Sequence, residues 1–232
     1  MRTTIRGIMI MLALGVALFL VLSLLVGLIP FGLFEFWHVK GTFKDWMFAA
    51  WPIFAWAIGV NVLIRAFTRN TPFENRIAED LFWHGAATSL AAGVLEEIVF
   101  RWVLFYTAII GVKVMNFLLL GFIGFGIPEL IYTHIVGPLA NIVTFGKMEH
   151  ILFHPAGWFV GSALLGANAT FRDGHKYQGF LGQMNSWFIG MFLFWMLFEY
   201  GIVACILVHF LYDLLIDVVC YIDRVIERGQ GG

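Results

Sequence analysis

The stretch Leu95-Glu96-Glu97-Ile98-Val99-Phe100-Arg101 sets two carboxylates and a guanidinium inside an apolar run, 81–106, long enough to cross a bilayer. Each such charge costs about 2.5–3.5 kcal/mol at the centre of a membrane helix. Three of them, unpaired and far from an interface, would cost roughly 8–10 kcal/mol. A chain that needed only to span lipid would not carry that burden. The fold must therefore bury these groups against partners, and the question is which distant residues those are.

The rest of the chain agrees with a membrane setting. Apolar residues make up 61% and charged residues 12%, against about 45–50% and 25% in a soluble domain. The formal net charge of −1 excludes a nucleic-acid-binding surface. Cys205 and Cys220 both stand in apolar surroundings, as buried thiols rather than a disulfide framework. The spans expected are 7–29, uncleaved, with Arg2 and Arg6 placing the N-terminus in the cytoplasm; 43–67, with Pro52 as a first-turn proline; and 81–106. Next come 112–146, as one span plus a broken or re-entrant piece; 149–170; and 186–221, split at Glu199-Tyr200-Gly201. A polar connector at 68–80 and a loop at 171–183 separate them. The fold class is all-α: a polytopic transmembrane bundle of seven or eight helices with a polar intramembrane cavity. It forms a single domain over 1–232, integral to the cell membrane and in contact with the lipid bilayer.

Helical spacing sorts the charges. Glu97 and Arg101 are four apart, share a face and can form a structural ion pair. Glu96 lies about 100° round the helix. Its i+3 and i+4 neighbours are Val99 and Phe100, so no local cation holds it. It is the carboxylate available as a general base. His150 and His154, four apart, open the span at 149–170 on one helical face. His209 and Asp213, also four apart, lie in the last span, where the Asp can orient the imidazole, accept a hydrogen bond or ligate a metal. A bundle can bring Glu96, His154, His209 and Asp213 into one polar space.

Glu96-Glu97-Ile98-Val99-Phe100-Arg101, a later histidine before the glycine-bearing helix Gly161-Ser162-Ala163-Leu164-Leu165-Gly166, and His209-Phe210-Leu211-Tyr212-Asp213 resemble the motifs of the CPBP family of intramembrane proteases. That family includes the type II CAAX prenyl endopeptidases and the bacteriocin-processing proteins. The resemblance covers about 81–220. It implies that Glu96 with His154 activates water for attack on a scissile carbonyl, and that His209 with Asp213 stabilises the oxyanion. It also implies a membrane protein or lipidated peptide as substrate. The second motif carries His150 where the family usually has Phe, and His134 competes with His154 for its histidine. Asp213 stands where many members have Asn, and an ionised Asp cannot donate to an oxyanion. The resemblance leaves the cofactor open between none and zinc, whose usual ligands include His and carboxylate.

Two other protease patterns fail on spacing. The His-Glu-x-x-His zinc motif needs Glu after the first His, and Ile151 follows His150. A rhomboid-type serine protease would rest on Ser162, which has no dedicated base. The rival class is a non-catalytic transporter, or a protease-derived scaffold, using the same buried charges.

Overall fold

The computed structural model describes residues 26–67, 85–124 and 126–230. The expected first span at 7–29 lies almost wholly outside them, as do the connector at 68–80 and residues 81–84. The described residues are mostly helical, with no strand among them. They form two compact units. One holds the described parts of Met1–Glu35 and Trp102–Ala167, the other those of Phe36–Arg101 and Asn168–Gly232.

The second unit is built on α1 (Phe43–Phe67), the first half of α2 (Ala86–Leu118), α5 (Gly179–Tyr200) and α6 (Ile202–Gln230). In it α6 packs against α1, α2 and α5. Thr42 and Asp45 start α1 with a reciprocal cap. The backbone N–H of Thr42 donates to Asp45 Oδ2 at 2.8 Å, and that of Asp45 to Thr42 Oγ1 at 3.4 Å. Because this cap fixes the start at Phe43, Pro52 falls in the helix interior rather than in its first turn, an arrangement that membrane helices tolerate when neighbours compensate. Asn185 ties three helices together: Trp56 Nε1 of α1 donates to its Oδ1 at 2.8 Å, and its Nδ2 donates to Tyr212 Oη of α6 at 3.2 Å. The expected break after Tyr200 is present. Gly201 has φ +90°, and a Cβ there would come within 2.5 Å of the His38 carbonyl oxygen, so only glycine makes this turn.

The helix bearing the charged stretch runs on past Tyr106 to Leu118. Nothing between them stops it, since the stretch has no proline and Gly111 as its one glycine. Its second half, 102–118, belongs to the first unit, with helix α3 at 127–143, the single turn Glu149–Leu152 and the start of α4 (Trp158–Gly174). The interrupted run after 112 resolves into the end of α2, a turn in which Leu120 and Gly124 have positive φ, and α3. Glu129 joins the two sides of that turn, its backbone N–H donating to Asn116 Oδ1 at 3.1 Å.

Among the described residues three helices are long and apolar enough to cross a membrane: Ala86–Leu118, Lys176–Tyr200 and Ile202–Ile222. At 21 residues and 1.5 Å per residue, the shortest matches a hydrocarbon core about 30 Å thick. The chain is a helical membrane protein, and its charged groups lie mid-helix in two of these spans.

Candidate active site

The site grows from a change of helical pitch. From Glu97 to Leu104 α2 is π-helical, a wide turn found mostly at functional positions. Just before it, Gly93 lets α6 come close: a Cβ at Gly93 would lie 3.2 Å from both the Ile206 carbonyl oxygen and the Phe210 nitrogen. This approach brings His209 of α6 onto the charged stretch of α2, within the second unit.

Glu97 and Arg101 are fully buried. Glu97 Oε1 lies 3.2 Å from an Arg101 terminal nitrogen, an ion-pair contact without hydrogen-bond geometry. The same oxygen accepts a 2.6 Å hydrogen bond from His209 Nδ1. An ionised carboxylate only accepts, so the proton on this contact belongs to the imidazole. Sequence spacing pairs Glu97 with Arg101 alone; in the fold Glu97 holds the histidine as well. The guanidinium is covered by rings: its central carbon lies 4.1 Å from the Phe171 centroid and 5.6 Å from that of Phe194. A desolvated cation–π contact of this kind contributes about 2 kcal/mol. The Phe171 ring also meets the His209 ring edge-on at 6.2 Å, so one side chain of α4 touches both partners of Glu97.

The other face of His209 differs. Its Nε2 lies 3.6 Å from Asp213 Oδ2 and 3.9 Å from Glu96 Oε2, and those carboxylates are 30% and 31% exposed. The imidazole thus has a dry nitrogen fixed by Glu97 and a more open nitrogen between two carboxylates. The gaps are too long for direct hydrogen bonds and right for a bridging water or substrate atom. Such a pair of faces suits acid–base chemistry, because Glu97 fixes which ring nitrogen is protonated and where the other points.

His154 belongs to the first unit. It does not open a membrane helix, as the spacing predicts. The turn at Glu149–Leu152 ends, and α4 begins only at Trp158. The reason is Pro155, which drives the preceding residue out of helical geometry, followed by Gly157 with φ +134°. His154 Nδ1 accepts the Ala156 backbone N–H at 3.1 Å, and its ring stands 5.3 Å from that of Phe31. Burial holds His154 below the ordinary imidazole range, with Glu35 opposing and His150 adding to the shift. His134 and His150 are exposed in this unit, His134 within the π-helical segment Tyr132–Val136.

Sequence spacing passed over three members of the neighbourhood. Asp217 continues the four-residue step of His209 and Asp213 along α6, a signal that was there to extend. Ser89, seven residues before Glu96, meets Asp217 at 3.1 Å. Phe171 carries no mark in sequence, since nothing separates it from the other 24 phenylalanines in a total of 25. Both cysteines are buried and neither forms a disulfide. Among the described residues no group of three or more His, Cys, Asp or Glu side chains is arranged to hold a metal ion.

Fold and site together define a helical membrane protein with a buried ionisable core shared by two spans. Comparison with known proteins adds no relative: no family model, curated protein or solved structure matches the chain.

Proposed function

We propose that this chain is an intramembrane endopeptidase of the CPBP, or CAAX-protease, kind: a multi-pass cell-membrane protein of seven or eight helices whose acids face a polar cavity. The observation that carries the proposal is the two-faced setting of His209, with Nδ1 on the buried Glu97–Arg101 pair and Nε2 between Glu96 and Asp213. Ionisable groups inside membrane spans serve function by default, and this set has the parts that hydrolysis needs.

In the proposed reaction Glu96 takes a proton from water, and the resulting hydroxide attacks the scissile carbonyl. His209, held through Nδ1 and protonated on Nε2, donates to the oxyanion as it forms. Asp213, 3.6 Å from Nε2, faces this N–H before substrate enters and yields it to the oxyanion as that forms, a role open to a carboxylate that only accepts. The proton taken by Glu96 then passes to the leaving amine. The resemblance assigns His154 to Glu96 in activating water. The substrate is a membrane protein or lipidated peptide reached from the bilayer.

The test is to express wild type, Glu96→Gln, His209→Ala and His154→Ala in membranes and count newly formed peptide N-termini among resident membrane proteins. Loss of a general base lowers the rate about 10²–10⁴-fold, so Glu96→Gln and His209→Ala abolish products that wild type makes. Equal cleavage by wild type and both variants, at equal abundance, defeats the proposal. Solute flux in proteoliposomes that Glu96→Gln abolishes, without any cleavage, assigns the chain to transport instead.

A further inference from the structure

Two turns along α6 from His209 lies a carboxyl group that the proposed reaction does not use. Asp217 is 8% exposed, and the Ser89 hydroxyl facing it from α2 is in a residue 4% exposed. Ser89 Oγ stands 3.1 Å from Asp217 Oδ2 and 2.9 Å from the Gly85 carbonyl oxygen. A serine hydroxyl has one hydrogen to donate and lone pairs to accept with. The Gly85 carbonyl only accepts, and an ionised carboxylate only accepts. One hydrogen cannot satisfy both, and the shorter contact is to Gly85.

The count closes when Asp217 carries a proton. The carboxylic acid then donates to Ser89 Oγ, and Ser89 donates onward to Gly85. Among the described side chains none offers Asp217 a cation in place of that proton. On its own helix the preceding turns present Asp213, another acid, and His209, which is engaged with Glu97. On the half of α2 in this unit the titratable groups are Glu96 and Glu97, with Arg101 in contact with Glu97. Over its described side chains, α1 carries charge only in its first turn, at Lys44 and Asp45, and α5 only at Glu199 near its end. A charged carboxylate buried in a membrane span without a partner is among the costliest arrangements available, whereas a neutral acid with a hydrogen-bond acceptor is tolerated.

We infer that Asp217 and Ser89 form a proton-binding site joining α2 to α6, occupied at neutral pH, about 12 Å along the helix from His209. Releasing the proton leaves two acceptors competing for one hydrogen and adds a negative charge to the face that bears Asp213 and His209. The contact between the two helices that build the site is therefore sensitive to pH, whatever reaction the site performs.

Infrared spectroscopy of the protein in lipid, with the aspartate side-chain carboxyl carbon isotopically labelled, reads this directly. Wild type is expected to show an isotope-shifted carboxylic-acid carbonyl band at neutral pH that Asp217→Asn removes and Asp213→Asn leaves in place. Ser89→Ala, a small change that keeps the carboxyl, is expected to move the band, because the acid loses its acceptor. The amide that Asp217→Asn introduces can donate to Ser89 Oγ as the acid does, so this variant keeps its melting temperature. Wild type loses melting temperature as pH rises above about 4, because the native state then holds a proton that the unfolded chain has lost, and the loss levels off once the native state releases it; Asp217→Asn lacks this component. Absence of the band in wild type, its persistence in Asp217→Asn, or an unmoved band in Ser89→Ala overturns the inference.

Discussion

In the unit built on 26–35 and 102–167, polar side chains serve the backbone. Tyr106 Oη donates to the Gly32 carbonyl at 2.8 Å, Trp102 Nε1 to Leu33 at 2.7 Å, Lys113 Nζ to Leu28 at 2.6 Å and Tyr132 Oη to Leu152 at 2.7 Å. Each closes a carbonyl that irregular chain leaves open, a need that lipid makes acute. The charged core of the other unit works differently. Glu97, Arg101 and His209 lie on continuous helix and contact one another through a single Glu97 oxygen, with Phe171 covering the guanidinium. Donors spent on backbone carbonyls complete a structure. Mutually dependent titratable groups hold protons whose positions can change, and they are the arrangement a chemical site requires.

That contrast is open to attack by mutation. Its most exposed point is Arg101. Arg101→Met leaves Glu97 buried with only the imidazole against it, and loss of one partner of a buried pair costs about 3–5 kcal/mol; chemical unfolding in detergent measures it. Adding Glu97→Gln in the same chain is expected to recover part of that loss, and a double variant no better than the single one shows that the pair is not coupled. Gly93→Val comes next. It drives a side chain into the α6 backbone, and overpacking of this kind costs about 1–3 kcal/mol. Because it also separates His209 from Glu97, any activity falls further than stability alone accounts for. A fully active Gly93→Val protein breaks the link between close helix approach and the site.

Within the unit whose polar groups serve the backbone the expected effects are smaller. Tyr132→Phe removes one hydrogen bond to the Leu152 carbonyl, about 0.5–1.5 kcal/mol, with no change in the pH dependence of any activity. A shifted pH profile in that variant would show that this unit's polar groups are not merely structural. The weakest effect is at His154. Its folded pKa lies below the ordinary value of about 6.5, so the unfolded chain binds more protons as pH falls through that value. Stability is complete above about pH 6.5 and declines below it. His154→Gln flattens the decline, which thermal melts across that range record; a wild type with no acid-side decline contradicts the assignment.

Much of the architecture was legible because it depends on neighbours in the chain. The break at Gly201 follows from one residue able to adopt positive φ, and the shared face of Glu97 and Arg101 follows from a four-residue step. Boundaries were less legible where a proline decides them. The start of α1 at Phe43 agrees with the span read from the sequence, whereas Pro155 ends the turn that carries His150, leaving His154 in a loop. The pitch change at Glu97 has no simple sequence signature.

What the sequence determined by itself is that this chain lies in a membrane, that it carries charge in the middle of an apolar helix, and which of those charges are local neighbours. These follow from composition and from covalent spacing, which no packing can alter. Tertiary structure decided that Glu97 serves His209 as well as Arg101, that Phe171 covers the guanidinium, and that Ser89 meets Asp217. Those pairings join residues far apart in the chain and on separate helices. They depend on how closely two helices approach and how each is rotated, quantities set by the packing of the whole unit rather than by any one segment.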